Sequence, residues 1–250
     1  MKAFRLESFV KANPPLHDLI QRHRRRFAEE HDPIYALLDR FSQAHGGHVR
    51  FIMVGAGDGL HHDPLREFVL RDDWRGVFVE PEPSSFRALM RHYPARRFRN
   101  IRLVSAAISA GEDEGLLLFT VKPEALAALP PERQAEIRAL ASLDHDRLMS
   151  GLAAQALSPD VITAIEVPPA TIEQLARAFF QDRQFDLLIL DAGGHEARIL
   201  GSLDLDRVHP DGFLIRPEGL GDQRAHVTQR LVRQGYAVRP IGDFLYASLV

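Results

Sequence analysis

At 250 residues the chain suits one α/β domain with a modest extension, large enough to bury roughly three quarters of its unfolded surface. It contains no cysteine, which excludes disulfides and thiolate zinc or iron–sulfur sites. A formal net charge of -3 projects no strong field toward nucleic acid. The longest apolar runs, Phe185–Leu190 and Leu116–Phe119, are far too short to span a bilayer, so no membrane partner is expected. Met1-Lys2-Ala3-Phe4-Arg5 leads into no long apolar run; a signal peptide is not expected and the cytoplasm is the default location. Basic residues cluster at Arg22, Arg24, Arg25 and Arg26 and again at Arg96, Arg97 and Arg99, reading as a solvated helix face and a basic loop, with an anionic substrate or a partner surface as the other reading.

Residues 1–48 read as an N-terminal helical extension, with Phe9, Leu16, Leu19, Ile20 and Phe27 spaced loosely like a helix face. Asp32-Pro33 starts a clearer amphipathic helix carrying Ile34, Leu37, Leu38 and Phe41, and Gly46-Gly47 ends it. From Arg50 onward, short apolar runs alternate with helical patterns. Phe51-Ile52-Met53-Val54 is a buried-strand run closed by Gly55. A helix follows Asp63-Pro64, with Asp63 as its N-cap. Val77-Phe78-Val79 makes a second strand, and another helix begins near Pro83, with Ser84 or Ser85 at its start. Ile101–Val104 is a third strand.

Residues 111–170 are too long for a plain crossover. They hold a strand at Leu116–Val121, a Pro/Ala-rich helical stretch and an extended Ile165–Pro169, and form an insertion where a substrate cap is expected. Phe185–Leu190 is a fourth core strand, followed by a helix through Ile199 and Leu200. Gly212–Ile215 is a fifth, followed by a helix through Val227, Leu231 and Val232. Tyr236–Val238 and Phe244–Ala247 are joined by a turn too short for anything but antiparallel neighbours. Residues 49–250 thus predict a doubly wound α/β domain whose sheet is mostly parallel and finishes with one reversed strand.

The central motif is Val54-Gly55-Ala56-Gly57-Asp58-Gly59 directly after a strand, where glycine lets the backbone turn tightly and approach a ligand. The dinucleotide fingerprint would place its third glycine where this chain has Leu60, so the pattern suits a ligand without a pyrophosphate. Glu80 ends the second strand 21 residues after Gly59, where an acid accepts both ribose hydroxyls of a nucleoside. Small residues at Ser105-Ala106-Ala107 would leave room for a flat adenine. Asp191 ends the fourth strand, and strand carboxyl ends are where open α/β sheets bind ligands. Gly193-Gly194 follow, and His195-Glu196 opens a helix. His195 is the best-placed neutral base, with Glu218 on the same rim as the next candidate. His61-His62-Asp63 could suggest a metal, but adjacent residues rarely converge on one ion and no metal is expected. His145, in Ser142-Leu143-Asp144-His145-Asp146, reads as a helix-start residue in a segment that could face the substrate.

These pieces resemble the FkbM-type methyltransferases over roughly residues 50–249. The matching blocks are Val54–Gly59, Asp63-Pro64, Trp74-Arg75-Gly76-Val77 leading into Glu80-Pro81-Glu82-Pro83 and Phe86, then Ala106-Ala107-Ile108 and Ala141-Ser142-Leu143-Asp144. Glu166-Val167-Pro168, and Asp191 with Gly194 and Ile199-Leu200, complete them. The resemblance implies a Rossmann-like fold, S-adenosylmethionine as cofactor and O-methylation of a sugar or secondary-metabolite hydroxyl. On the residues as read above, the expected cofactor contacts are Gly55, Ala56, Gly57, Asp58, Gly59, Glu80, Pro81, Ala106 and Asp191, while Asp191, His195 and Glu218 are expected to serve the acceptor. Three positions depart from the pattern. Gly57 stands where the family usually has Asn, Gly193 replaces the Glu of its Asp-x-Glu-Gly motif, and His195 stands where many relatives carry an aromatic residue or alanine.

Methyl transfer draws much of its acceleration from alignment, so His195 or Glu218 could stand in for the missing carboxylate. Methylation of nitrogen is a second reading. A third is a non-catalytic, cofactor-binding or interaction subunit with a degraded acceptor site, to which Gly193 points. A dehydrogenase is disfavoured by Leu60 and the terminal hairpin. The extension at 1–48 could cover the site or pair subunits in a homo-oligomer.

Overall fold

Asp32 opens the first helix of the computed structural model, which describes residues 32–61, 63–111, 114–181 and 184–250. The helical face expected at 9–27, the basic cluster at 22–26 and His62 lie outside the described residues. In helix α1 (Pro33–Ala44) the Asp32 carboxylate accepts the N–H groups of Ile34 and Tyr35 at 2.9 and 3.0 Å, an N-cap that fixes where the helix begins. Next come β1 (Arg50–Val54), α2 (Arg66–Arg71), β2 (Arg75–Val79), α3 (Pro83–His92) and β3 (Ile101–Val104).

After β4 (Ala107–Ile108) comes the insertion: β5 (Leu116–Val121), α4 (Pro123–Ala127), α5 (Pro131–Arg138), α6 (His145–Ala154), a 3-10 turn at Pro159–Val161, β6 (Ile162–Val167) and β7 (Pro169–Ala170). The chain then returns through α7 (Ile172–Phe179), β8 (Leu187–Leu190), α8 (Glu196–Ser202) and β9 (Gly212–Ile215). A 3-10 stretch at Pro217–Gln223, α9 (Arg224–Arg233), β10 (Tyr236–Ile241) and β11 (Phe244–Leu249) finish it.

The central sheet has seven strands in the order β10-β11-β9-β8-β1-β2-β3. All neighbours are parallel except around β11, which runs antiparallel to both β9 and β10. The single reversed strand expected from the hairpin is therefore present, and it lies one place in from the edge. Continuous apolar runs make sense for strands covered on both faces. Ile52, Val54, Leu188 and Leu190 point toward α7, α8 and α9, while Phe51, Met53, Leu187 and Ile189 point toward α1, α2 and α3. Helix α1 thus shares the main core, through Leu37, Leu38 and Phe41. Among the described residues, no helix is long and apolar enough to cross a membrane.

Helix α3 begins at Pro83 as expected, capped by Glu82, whose carboxylate accepts the N–H groups of Ser84 and Ser85. Two local differences from the expected elements have physical causes. The helix expected at Pro64 begins at Arg66, because the Asp63 carboxylate accepts both the Leu65 N–H and the Tyr93 hydroxyl and so caps a turn ahead of the helix. Two short strands, β4 and β7, pair with each other and were not expected, since two residues carry no periodicity.

The insertion is built on an antiparallel pair, β5 with β6, in register from Leu116–Val167 to Val121–Ile162. It has a core of its own from Val121, Leu126, Ile137, Leu148 and Leu152.

At the amino ends of the strands, His45 presents Nδ1 to the Phe41 carbonyl at 2.8 Å and Nε2 to Asp211 at 2.9 Å. With acceptors at both nitrogens, the ring is best served as imidazolium. Burial lowers its pKa, but the bonds to Asp211 and Phe41, with Asp186 nearby, raise it above the ordinary histidine value. The stabilisation is fully present below the unfolded value of about 6.5 and is lost as pH rises through the higher folded value. We expect the urea midpoint of the wild type, relative to His45→Gln, to fall between about pH 6 and pH 8.5. A constant difference across that range would refute the pairing.

Candidate active site

The parallel registers bring the strand ends into line. Val54 pairs with Val79 and Leu190, Val79 with Val104, and Leu190 with Ile215. The residues that follow therefore form one row: Ser105, Glu80, Gly55, Asp191 and Arg216. Backbone bonds continue through it, from Gly55 N to Val79 O at 2.9 Å, Asp191 N to Val54 O at 3.0 Å and Arg216 N to Leu190 O at 2.9 Å. The chain reverses its direction of travel across the sheet between β1 and β8, the place where such sheets bind ligands.

A cavity of about 770 Å³ opens over this row, within the range of small-molecule sites. Its wall includes Gly55, Ala56, Gly57, Glu80, Pro81 and Ala106. Asp191, His195 and Glu218 also face it. Two of the candidate residues, Asp58 and Gly59, do not. Asp58 turns back into the loop, where its carboxylate accepts Leu60 N at 3.0 Å, His61 N at 2.9 Å and the His61 ring at 2.7 Å. Burial would raise its pKa, but these donors hold it below the ordinary carboxylate value. The same bond fixes the His61 ring, and His61 is a wall residue that sequence reasoning considered only as a metal ligand.

Glu80 is buried, yet it reaches the cavity. One carboxylate oxygen accepts Gly57 N at 2.8 Å and the other Glu82 N at 2.9 Å. Each oxygen keeps a second lone pair for a ligand. Burial pushes its pKa up to about 7; the two backbone bonds oppose this, and Glu82 and Asp191 add repulsion. Asp191 accepts Arg216 Nε at 3.0 Å. Arg216 also pairs with Asp243 in the turn between β10 and β11, and its guanidinium lies 4.2 Å from the Phe244 ring centroid. His195 occupies the N-cap position of α8, half-buried, and Glu218 is exposed at the rim.

The opposite wall comes from the insertion, through Arg138, Leu140, Leu143, Arg147 and Ser150 among others. Sequence reasoning singled out no charged residue there. The connecting strap is pinned at Ser142, whose backbone exchanges two bonds with Phe119 and whose hydroxyl donates to Gly193 O at 2.7 Å. Glu196, read only as a helix opener, is fully buried, and its carboxylate accepts Ala192 N at 2.6 Å and Gly194 N at 3.0 Å. Burial raises its pKa, and the Asp191 charge adds to the effect.

Compared with known families, the methyltransferase FkbM domain matches residues 54–237, well over half of the chain. The chain belongs to this family. No curated protein sequence matches it. Among solved structures, a hypothetical protein of Thermus thermophilus is 16% identical, with 86% of this chain and 83% of that one covered at a TM-score of 0.39. Precorrin-6y C5,15-methyltransferase of Geobacter metallireducens is 13% identical, covering 81% of each chain at a TM-score of 0.38. A SAM-dependent methyltransferase of Aquifex aeolicus is 12% identical, covering 81% of this chain and 82% of that one at a TM-score of 0.36.

In this FkbM-domain methyltransferase the two glycine departures from the pattern have a local explanation. Gly57 sits at φ +57°, a left-handed conformation that Gly and Asn tolerate best, so the two residues are interchangeable there on backbone grounds. Gly193 sits at φ +58°, and a Cβ on it would lie 2.9 Å from the Ala141 carbonyl oxygen. A Glu in this backbone would be strained and crowded. The loop is closed instead by the Glu196 carboxylate.

Proposed function

We propose that the cavity binds S-adenosylmethionine and a small hydroxylated acceptor, and that the protein is a cytoplasmic O-methyltransferase acting on a sugar or secondary metabolite. The observation that carries this reading is the row Glu80, Gly55 and Asp191, at the switch point of the sheet and open to one cavity. The residues present fit the cofactor. Gly57 has open space where a Cβ would be, so a ligand can lie against the loop. Glu80 offers free lone pairs for a ribose diol, and Ala106 keeps the adenine side flat. Asp191 suits a cationic aminoacyl end, and Pro81 completes that wall. Asp58 and Gly59 act through the shape of the loop and not by contact.

When bound, S-adenosylmethionine supplies an electrophilic methyl group on a sulfonium. The chain's share is to align the acceptor, exclude water beneath the insertion as a cap, and take the acceptor's proton at His195, with Glu218 the nearby alternative. Calorimetric titration with S-adenosylmethionine and S-adenosylhomocysteine should give micromolar binding, weakened by Asp191→Ala. His195→Ala should leave cofactor affinity intact and slow turnover by roughly 10²–10⁴-fold once an acceptor is in hand. Folded protein that binds neither compound would end this reading. Binding without turnover on any hydroxylated compound would favour the non-catalytic one, to which Gly193 points.

A further inference from the structure

The charges of the cavity are segregated. Glu80, Asp191, Glu218 and Asp243 lie on the sheet side, where Arg216 is engaged by Asp191 and Asp243. Arg138 and Arg147 lie on the insertion side. Neither guanidinium has a hydrogen-bond or ion-pair partner among the described residues, and Arg147 acts on the buried Glu196 carboxylate only from beyond ion-pair distance. The Nε of Arg138 is buried with no acceptor among the described residues. A buried donor left unpaired costs about 1–3 kcal/mol, and more when charged, so such groups call for an explanation.

Both arginines hang from fixed points. Arg138 follows Ile137 and Arg147 precedes Leu148, and both apolar neighbours are buried in the insertion's own core. Between them the strap is clamped at Ser142 to β5 and to Gly193. Two guanidiniums on one wall of the cavity, one with a dry N–H that has no partner among the described residues, form a receptor for an anion. The planar fork of Arg matches carboxylate and phosphate oxygens bidentately.

We propose that the acceptor carries a carboxylate or a phosphate beside the group to be methylated, and that Arg138 and Arg147 receive it. This rests on the methyltransferase reading above and narrows its substrate class from neutral sugars and metabolites to anionic ones. The division of charge also orients the two ligands, with the cationic cofactor against the carboxylates and the anionic acceptor against the arginines.

The test uses the full-length protein saturated with S-adenosylhomocysteine, titrated with inorganic phosphate, with acetate and with neutral glycerol. At least one anion should bind saturably while glycerol does not. Its affinity should fall about tenfold or more in Arg138→Met and in Arg147→Met, as expected for loss of a charge-assisted pair. Affinity for S-adenosylhomocysteine should stay within about twofold, which also certifies that the variants fold. Saturable binding of neither anion, or binding that both substitutions leave unchanged, overturns the proposal. A large loss of S-adenosylhomocysteine affinity in Arg138→Met also overturns it, by giving that arginine to the cofactor's own carboxylate. Wild-type protein that fails to bind S-adenosylhomocysteine marks a different failure, that of the methyltransferase reading. The acetate and phosphate arms tell a carboxylated acceptor from a phosphorylated one.

Discussion

Glu80→Ala should lower affinity for S-adenosylhomocysteine at least about a hundredfold. Two hydroxyl donors to one carboxylate each contribute roughly 1.5–3 kcal/mol, and the substitution removes both. It also strips Gly57 N and Glu82 N of their acceptor, so the glycine loop loses the contact that ties it to the end of β2. Glu80→Gln separates the two effects, since an amide oxygen can still accept from one of these donors. The proton on Glu80 gives a second readout. Its folded pKa is raised to about 7 from an ordinary 4.5, so its favourable contribution to stability is present below 4.5 and is lost as pH rises through about 7. Hydroxyl donors prefer the ionised form. Binding near neutral pH should therefore release a proton, and wild-type affinity should rise between about pH 6 and pH 8. Glu80→Gln should show no such rise. Calorimetry in two buffers of different ionisation enthalpy measures the proton directly, and its absence in the wild type would remove Glu80 from the diol.

Gly55→Ala should destabilise the fold by more than about 3 kcal/mol, while Gly57→Asn should cost less than about 1 kcal/mol. The two glycines sit two residues apart, and both have positive φ, +76° and +57°. They differ in what surrounds them. A Cβ on Gly55 would lie 1.7 Å from the Asp191 carbonyl oxygen, whereas one on Gly57 would meet nothing within 4 Å. Gly55 cannot yield, because its N–H is bound to Val79 O and the Asp191 N–H to Val54 O. Forcing a side chain between them separates β1 from β8 at the switch point. The left-handed backbone alone would cost about 1–2 kcal/mol, so the rest of the effect is the clash. Urea denaturation followed by circular dichroism distinguishes the two, and equal midpoints would refute the close approach at Gly55.

Much of the architecture was legible because buried parallel strands must be apolar along their whole length. Phe51–Val54, Val77–Val79 and Gly212–Ile215 announce themselves without any partner being known. The closing hairpin was readable from the shortness of its turn. Other features depend on residues far apart in the chain. Ala107 pairs with Pro169, and nothing in either dipeptide signals it. Asp58 belongs to the glycine motif, but its orientation was decided by His61, three residues on. Arg138 and Arg147 face the cavity only because Ser142 is tied to Phe119 and Gly193, and no local pattern encodes that tie. Glu196 had a legible position at a helix start and an illegible role, since its burial depends on Gly219 approaching from after β9.

The separate core of the insertion has a consequence for how this enzyme diversifies. Val121, Leu126, Ile137, Leu148 and Leu152 pack among themselves, so the selectivity wall and the cofactor half draw on different sets of apolar contacts. The apolar contacts behind α5 and α6 lie mainly within this satellite, although α5 also touches α3 of the main layer. On the proposed reading, the acceptor side is thus built largely within an exchangeable module. Lineages could retune it, or a designer graft a new one between β5 and β6, without relearning how to hold the methyl donor.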